Sequence, residues 1–296
     1  MENVKVIVLR AAGINCDLET QNAFELAGAQ AERVHINRLI EEKNALDGFQ
    51  ILVIPGGFSY GDDVAAGKIL ANQIKHHLYG QVRKFIDDGK LVLGICNGFQ
   101  VLVKVGILPF ADESGQPVTV TYNDSNKFED RWVYLEPASE RCIFIEKGRR
   151  IYLPIAHGEG KVVTKDQPTL DKLQAENYIA FKYVDENGNE GGYPINPNGS
   201  ISSIAGFTDS TGRVLGLMPH PERHIRHTQH PRWTRSKREA GNEKDANSTG
   251  STPSTSSGQA NSPQASSPDN NIRGQAGQAD GMTIFTNAVK YVRDNL

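Results

Sequence analysis

Gly94-Ile95-Cys96-Asn97-Gly98 sets one thiol midway between two glycines. This is the glycine-x-nucleophile-x-glycine pattern, with cysteine where hydrolases carry serine. A short aliphatic run, residues 91–95, precedes it and a helical stretch, residues 98–105, follows. A sharp strand-to-helix bend at that point holds the nucleophile in a strained conformation, and the small neighbours relieve the crowding. The side chain then projects over the carboxyl edge of a sheet, where open α/β folds keep their ligands. The start of the following helix favours the thiolate. Such a nucleophile needs a base, and the base needs a group to orient it. His220 and Glu222, two residues apart just beyond a strand at 214–218, supply both. In an extended chain i and i+2 project to one side. The carboxylate can then hold one imidazole nitrogen while the other faces the thiol. Together the three residues suit attack on an acyl or amide carbon.

Other residue patterns carry less. Pro55-Gly56-Gly57-Phe58-Ser59-Tyr60-Gly61-Asp62 ends a strand at 51–54, and its glycines let backbone N–H groups approach a ligand, as an oxyanion hole requires. Residues 61–68, GDDVAAGK, come near a phosphate-binding loop. The spacing is one residue too long, and Ile69 stands where a magnesium-binding hydroxyl is needed, so a nucleotide site is rejected. His220, Glu222, His224, His227 and His230 crowd together in a way that raises metal binding. Pro221 and Pro231 break the helix that i, i+4 ligands would need, and no cysteine pair assists, so no metal is expected. His224, His227 and His230 read as surface-loop histidines. Cys142, in an apolar run, reads as a buried structural thiol.

The elements that must position these groups follow from periodicity. Apolar runs at 5–9, 31–36, 51–54 and 91–95 predict strands, the first and last buried on both faces. Helices are predicted at 18–27, stopped by Gly28, and within 69–86, where Leu70, Ile74, Leu78, Val82 and Phe85/Ile86 recur at three or four. Strand alternating with helix implies a parallel sheet. From 117 to 155 strand-like runs dominate, predicting an antiparallel extension, and strands at 201–207 and 214–218 follow. At the end, Phe285, Ala288, Val289, Val292 and Leu296 line one face of an amphipathic helix that needs a core to cover it.

Residues 241–280 hold a single large apolar side chain, Ile272, among Ser, Gly, Asn, Gln and Pro. Such material cannot bury enough surface to offset its ordering entropy. The expected organisation is one domain made of residues 1–233 plus 281–296, interrupted by a disordered, low-complexity insertion at 234–280. The chain of 296 residues has a formal net charge of −3, so no sequence-wide basic field points to nucleic acid. No aliphatic run approaches a membrane span, and the opening residues read as a first strand rather than a secretory signal. Three widely spaced cysteines suggest neither a disulfide framework nor a zinc site, which fits a reduced, cytoplasmic protein.

Taken together, GGFSYGDD, GICNGFQ and MPHPERH resemble the class I, triad-type glutamine amidotransferases. LRAAGINCD near the N-terminus, AHGEG at 156–160 and IFTNAVKYV near the end resemble one branch of that class, the glutaminase subunits of phosphoribosylformylglycinamidine synthase. The resemblance covers residues 1 to about 233 and 281–296. It implies an α/β, flavodoxin-like open and mostly parallel sheet flanked by helices, and a Cys96–His220–Glu222 triad. It implies that Gly57 and the N–H of Asn97 are oxyanion donors and that Phe58 and Gln100 line a glutamine pocket. His157 and Glu159 would lie behind that pocket or at a partner surface; a plain polar turn after a strand at 151–155 is an equal alternative. The implied partners are L-glutamine, a synthetase subunit of the PurL type and a small bridging subunit of the PurS type. ATP and magnesium would bind the synthetase, leaving this chain without a cofactor. Two departures stand out: Ala12 where relatives often carry proline, and the long insertion.

Overall fold

A computed structural model describes residues 3–42, 44–111, 115–235 and 279–296. The expected insertion, apart from its edges, lies outside the described residues.

β1 (Lys5–Arg10), β2 (Gln30–His35), β3 (Ile51–Ile54), β4 (Leu91–Ile95) and β11 (Val214–Leu217) form the parallel half of a nine-stranded sheet, ordered β2-β1-β3-β4-β11. This is the 2-1-3-4-5 order of flavodoxin-like folds. β10 (Ile204–Thr208), β9 (Ile179–Val184), β6 (Glu129–Pro137) and β7 (Ile151–His157) continue the sheet with antiparallel pairings. β5 (Val118–Tyr122) instead pairs with β8 (Glu159–Thr164) in a separate two-stranded sheet. β3, β4 and β11 are buried along their whole length, which is why they read as unbroken aliphatic runs rather than alternating ones.

Helices α1 (Asp17–Leu26) and α5 (Asn97–Val105) match the expected crossovers; α2 (Ile36–Glu41) has no counterpart in the sequence reading, and α6 (Gln167–Ala175) precedes β9. Asp166 caps α6 by accepting from Thr169 N–H at 2.9 Å. The single helix predicted over 69–86 is instead α3 (Lys68–Gln73), a π turn (Ile74–Leu78) and α4 (Tyr79–Asp87). Leu70, Ile74, Leu78 and Val82 lie four apart, more than the roughly 3.6 residues of an α turn, so their stripe would drift around the helix. The wider π turn offsets that drift, and all four side chains are buried. The strand predicted at 201–207 begins as a short 3₁₀ turn, Ile201–Ser203, before β10.

The last helix, α7 (Met282–Asn295), buries Ile284, Phe285, Ala288, Val289 and Val292. Phe285 meets Phe24 of α1 edge to face, ring centroids 5.0 Å apart. At its start Gly281 N–H donates to His224 O at 2.9 Å. A Cβ on Gly281 would lie 2.1 Å from Pro221 O, so only glycine lets α7 close on the turn that follows β11. Among the described residues no helix is long and apolar enough to cross a membrane.

Phe285 is fully buried and shared between α7 and α1. Phe285→Ala should therefore cost about 3–5 kcal/mol of stability. Urea unfolding followed by circular dichroism measures this, and a loss below about 1 kcal/mol would mean that α7 does not share the core.

Candidate active site

Cys96 stands at the carboxyl end of β4 and caps α5, with φ 50° and ψ −105°. Two close approaches force that bend. A Cβ at Gly98 would sit 1.8 Å from Ile54 O, and one at Gly94 would meet Leu102 Cδ1 at 2.5 Å and Gly98 O at 2.8 Å. The glycine frame is thus a packing requirement of β3, β4 and α5, and it holds the strained backbone in place.

The other two members arrive through strand register. β11 pairs with β4 with Leu217 opposite Ile95, and Cys96 N–H donates to Leu217 O at 2.8 Å. The chain leaving β11 therefore passes beside the thiol. His220 N–H is fixed by Pro154 O of β7 at 2.8 Å. Its Nδ1 lies 2.6 Å from Glu222 Oε1, with both side chains buried. The carboxylate accepts, so Nδ1 carries the proton and Nε2 is the nitrogen left for chemistry. The contact was expected from an extended i, i+2 geometry. In fact His220 is extended, but Pro221–Arg223 is a 3₁₀ turn, and that turn swings Glu222 back onto the ring.

Burial opposes a charge on His220. The Glu222 carboxylate and then the Cys96 thiolate outweigh it, holding the imidazole well above its ordinary pKa. The ring is thereby supplied with a proton to deliver. The Cys96 sulfur lies 3.7 Å from Ala156 O, which β7 contributes.

Gly57 adopts φ 139°, and a Cβ there would lie 2.7 Å from Asn15 N. An isolated bridge joins Ile14 to Gly57. Nearby hydrogen bonds run from Phe58 N–H to Gly13 O and from Cys16 N–H to Gly56 O, so Gly57 N–H takes no part in them. The Asn97 side chain ties this loop to α5. Its Oδ1 accepts from Ser59 N–H at 3.2 Å, and its Nδ2 donates to Asp62 Oδ1 and Gln100 Oε1, each at 3.0 Å. The loop that carries Gly57 is thereby tied to the first residue of α5. Phe58 is 46 % exposed and stacks on Phe128 with ring centroids 6.4 Å apart.

Gln100 is buried. Its Oε1 accepts from Asn97 and its Nε2 donates to Glu159 O, so in this conformation it braces the β7–β8 turn against α5. Glu159 accepts from Ala66 N–H through its carboxylate at 3.3 Å. His157 is buried, and its tautomer can be assigned. Asn123 Nδ2 donates to Lys127 O and His157 O, so Asn123 Oδ1 faces Gly160 N–H and His157 Nδ1 and must accept from both. Burial, and then the nearby His220 charge, push His157 down to about 3, leaving a permanently neutral ring.

The surface-loop reading of the histidines holds for exposed His227 and fails for His224. His224 is buried, donates from Nδ1 to Tyr152 O at 2.8 Å, and meets Trp132 edge-on with centroids 5.0 Å apart. Trp132 of β6 packs on it, with Tyr152 of β7 against that indole, a tertiary arrangement that local spacing does not encode. Cys142 is buried as expected, its thiol pushed up to about 12 by burial. Two neighbours of the His220 ring were not placed beside it by the sequence: Gly56, known there only as part of a glycine turn, and Cys16. A Cβ at Gly56 would lie 2.8 Å from His220 Cε1 and 3.4 Å from Cys96 Cβ. Cys16 is buried against the same ring from the far end of the sequence.

Folded His220 binds its proton more tightly than the unfolded ring, whose pKa is about 6.5. The resulting stabilisation is complete below that pH and is lost as pH climbs through the folded pKa. In urea titrations, the stability gap between wild type and Glu222→Gln should be wider at about pH 6 than at about pH 10. An equal gap at both pH values would rule out the charged pair.

Comparison with known proteins agrees with this geometry. Residues 3–248 match the family model of the CobB/CobQ-like glutamine amidotransferase domain. Phosphoribosylformylglycinamidine synthase subunit PurQ of Dehalococcoides mccartyi is 42 % identical over 296 residues, covering 99 % of both chains. The PurQ subunit of Methanococcus maripaludis is 44 % identical over 233 residues, covering 77 % of this chain and 85 % of its own. Among solved structures, a chain of PurLQS from Thermotoga maritima superposes with a TM-score of 0.61 at 29 % identity, covering 82 % of this chain and 99 % of that one. With the nucleophile elbow and the buried His–Glu pair in place, these matches establish that the chain belongs to the PurQ family of glutamine amidotransferases.

Proposed function

We propose that this chain is the glutaminase subunit of a phosphoribosylformylglycinamidine synthase, releasing ammonia from L-glutamine for a synthetase partner. The observation that carries the reading is Cys96, held at a strained bend beside a buried His220–Glu222 pair in a chain so similar to PurQ subunits.

The chemistry follows from the geometry. Cys96 Sγ attacks the side-chain amide carbon of glutamine, and the carbonyl oxygen becomes an oxyanion. Gly57 N–H and Asn97 N–H receive it, each such donor being worth about 3 kcal/mol in the transition state. His220 delivers its proton to the amide nitrogen as the carbon–nitrogen bond breaks, so ammonia leaves and a γ-glutamyl thioester remains. The ring, now neutral at Nε2, takes a proton from water; hydroxide attacks the thioester, and the proton returns to the departing Cys96 sulfur. Glu222 keeps the imidazole in one tautomer throughout. Phe58, with Phe128 stacked on it, walls the glutamine pocket, and Gln100 supports its floor.

In this reading ammonia passes directly to a synthetase of the PurL type, bridged by a subunit of the PurS type, which aminates phosphoribosylformylglycinamide. The solved Thermotoga maritima assembly named PurLQS supports a partner of that kind. ATP and magnesium belong to the synthetase, this chain carries no cofactor or metal, and the complex works in the cytoplasm.

Cys96→Ala in the assembled complex should lower glutamine-dependent amidine formation by a factor on the order of 10⁴ or more, while added ammonium salts still support it. Steady-state assays with each nitrogen source decide the matter. Undiminished glutamine hydrolysis by the variant would refute the assignment. In wild type, an electrophilic glutamine analogue should label Cys96 and leave Cys16 and Cys142 unmodified, as peptide mass mapping can show.

A further inference from the structure

The catalytic imidazole has a second thiol against it. Cys16 caps α1 and is 1 % exposed. Its Sγ, a ring nitrogen of His220 and a carboxylate oxygen of Glu222 all lie within 4.8 Å of one another. A Cβ on Gly56 would fall 3.3 Å from that sulfur and 2.8 Å from His220 Cε1, so the sulfur and the ring are packed against the same glycine. Arg223 Nη2 donates to Cys16 Sγ at 3.2 Å, while its Nε donates to Glu19 Oε1 at 3.0 Å. The thiol itself donates to Asn15 Oδ1 at 3.3 Å.

These contacts form a chain from α1 to the triad: Glu19 and Cys16 both hold Arg223, the residue next to Glu222, and Cys16 backs the ring that Glu222 orients. We infer that Cys16 is a positioning residue for His220, fixing the imidazole between Glu222 and Cys96. The inference rests on the glutaminase reading for its kinetic consequence alone. Burial pushes the Cys16 thiol up to about 11, so it stays protonated at neutral pH and does not compete with Cys96 as a nucleophile. A neutral, polarisable sulfur suits the place. It accepts from the Arg223 guanidinium without setting a second anion beside Glu222.

The charged and titratable groups around the ring are Glu222 and Arg223 from the 3₁₀ turn, Cys96 at the N-cap of α5, Cys16 at the N-cap of α1, Glu19 from α1 and His157 from β7. Removing Cys16 takes away one contact that favours the protonated ring. The limb of the rate profile that reports His220 should therefore move to lower pH.

The test compares wild type, Cys16→Ala and Cys16→Ser as full chains. The first readout is the downfield proton resonance of His220 Nδ1–H in ¹⁵N-labelled protein, which needs no enzymatic activity. It should shift or broaden in Cys16→Ala and return close to its wild-type position in Cys16→Ser. In the assembled complex, kcat for glutamine should fall between about 10-fold and 100-fold in Cys16→Ala with KM little changed, and Cys16→Ser should recover most of the loss. An unshifted resonance with unchanged kcat, or a serine variant as impaired as alanine, would overturn the proposal. If Cys16→Ala does not fold, Cys16→Val keeps the volume and removes the acceptor of Arg223; the same displaced resonance is expected, and its absence counts against the inference. Were the complex to lack glutaminase activity altogether, the resonance would still report whether Cys16 positions the ring.

Discussion

The register between β4 and β11, with Leu217 opposite Ile95, is the constraint on which the rest of the site depends. Parallel pairing lets two segments far apart in sequence end at the same edge of the sheet, and there the backbone of Cys96 is bonded directly to Leu217. A slip of one residue would turn every side chain of β11 to the opposite face and take His220 away from the thiol. Complete burial of β3, β4 and β11 protects that register, because a slipped strand would leave these aliphatic side chains without their neighbours.

Around this constraint the electrostatics favour function over economy. Burying His220 and Glu222 together is costly unless each compensates the other. Their 2.6 Å contact provides the compensation, and the thiolate of Cys96 adds to it. His157 shows the opposite outcome at a short remove: equally enclosed, given an amide rather than a carboxylate as its partner, it stays neutral. Two buried imidazoles therefore differ in charge because neighbouring anions offset burial at His220, while at His157 burial acts unopposed and the His220 charge adds to it, which is how a single pocket can separate its titratable groups.

Much of this was legible in the sequence, for identifiable reasons. Strands buried on both faces announce themselves as aliphatic runs, and β3 and β4 begin and end where those runs do. The glycines flanking Cys96 were legible because steric exclusion acts over neighbouring positions. The closeness of His220 to Glu222 was also legible, although the 3₁₀ turn that produces it was not. Hidden were the features made by the tertiary fold alone, Trp132 against His224 and Cys16 beside His220. The π turn at Ile74–Leu78, by contrast, was written in a spacing of four that reads as an ordinary helix. Residues 14–16 look like an ordinary polar loop until Arg223 reaches them from 207 positions away.

The junction at Gly281 carries one more consequence. Its hydrogen bond to His224 and its fit against Pro221 knit together the two stretches of chain that border residues 236–278. The turn that carries His220 and Glu222 is thus anchored from the far end of the chain as well as by β11. A side chain added at Gly281 would push on Pro221 and so disturb the His220–Glu222 contact, although it touches neither member of that pair.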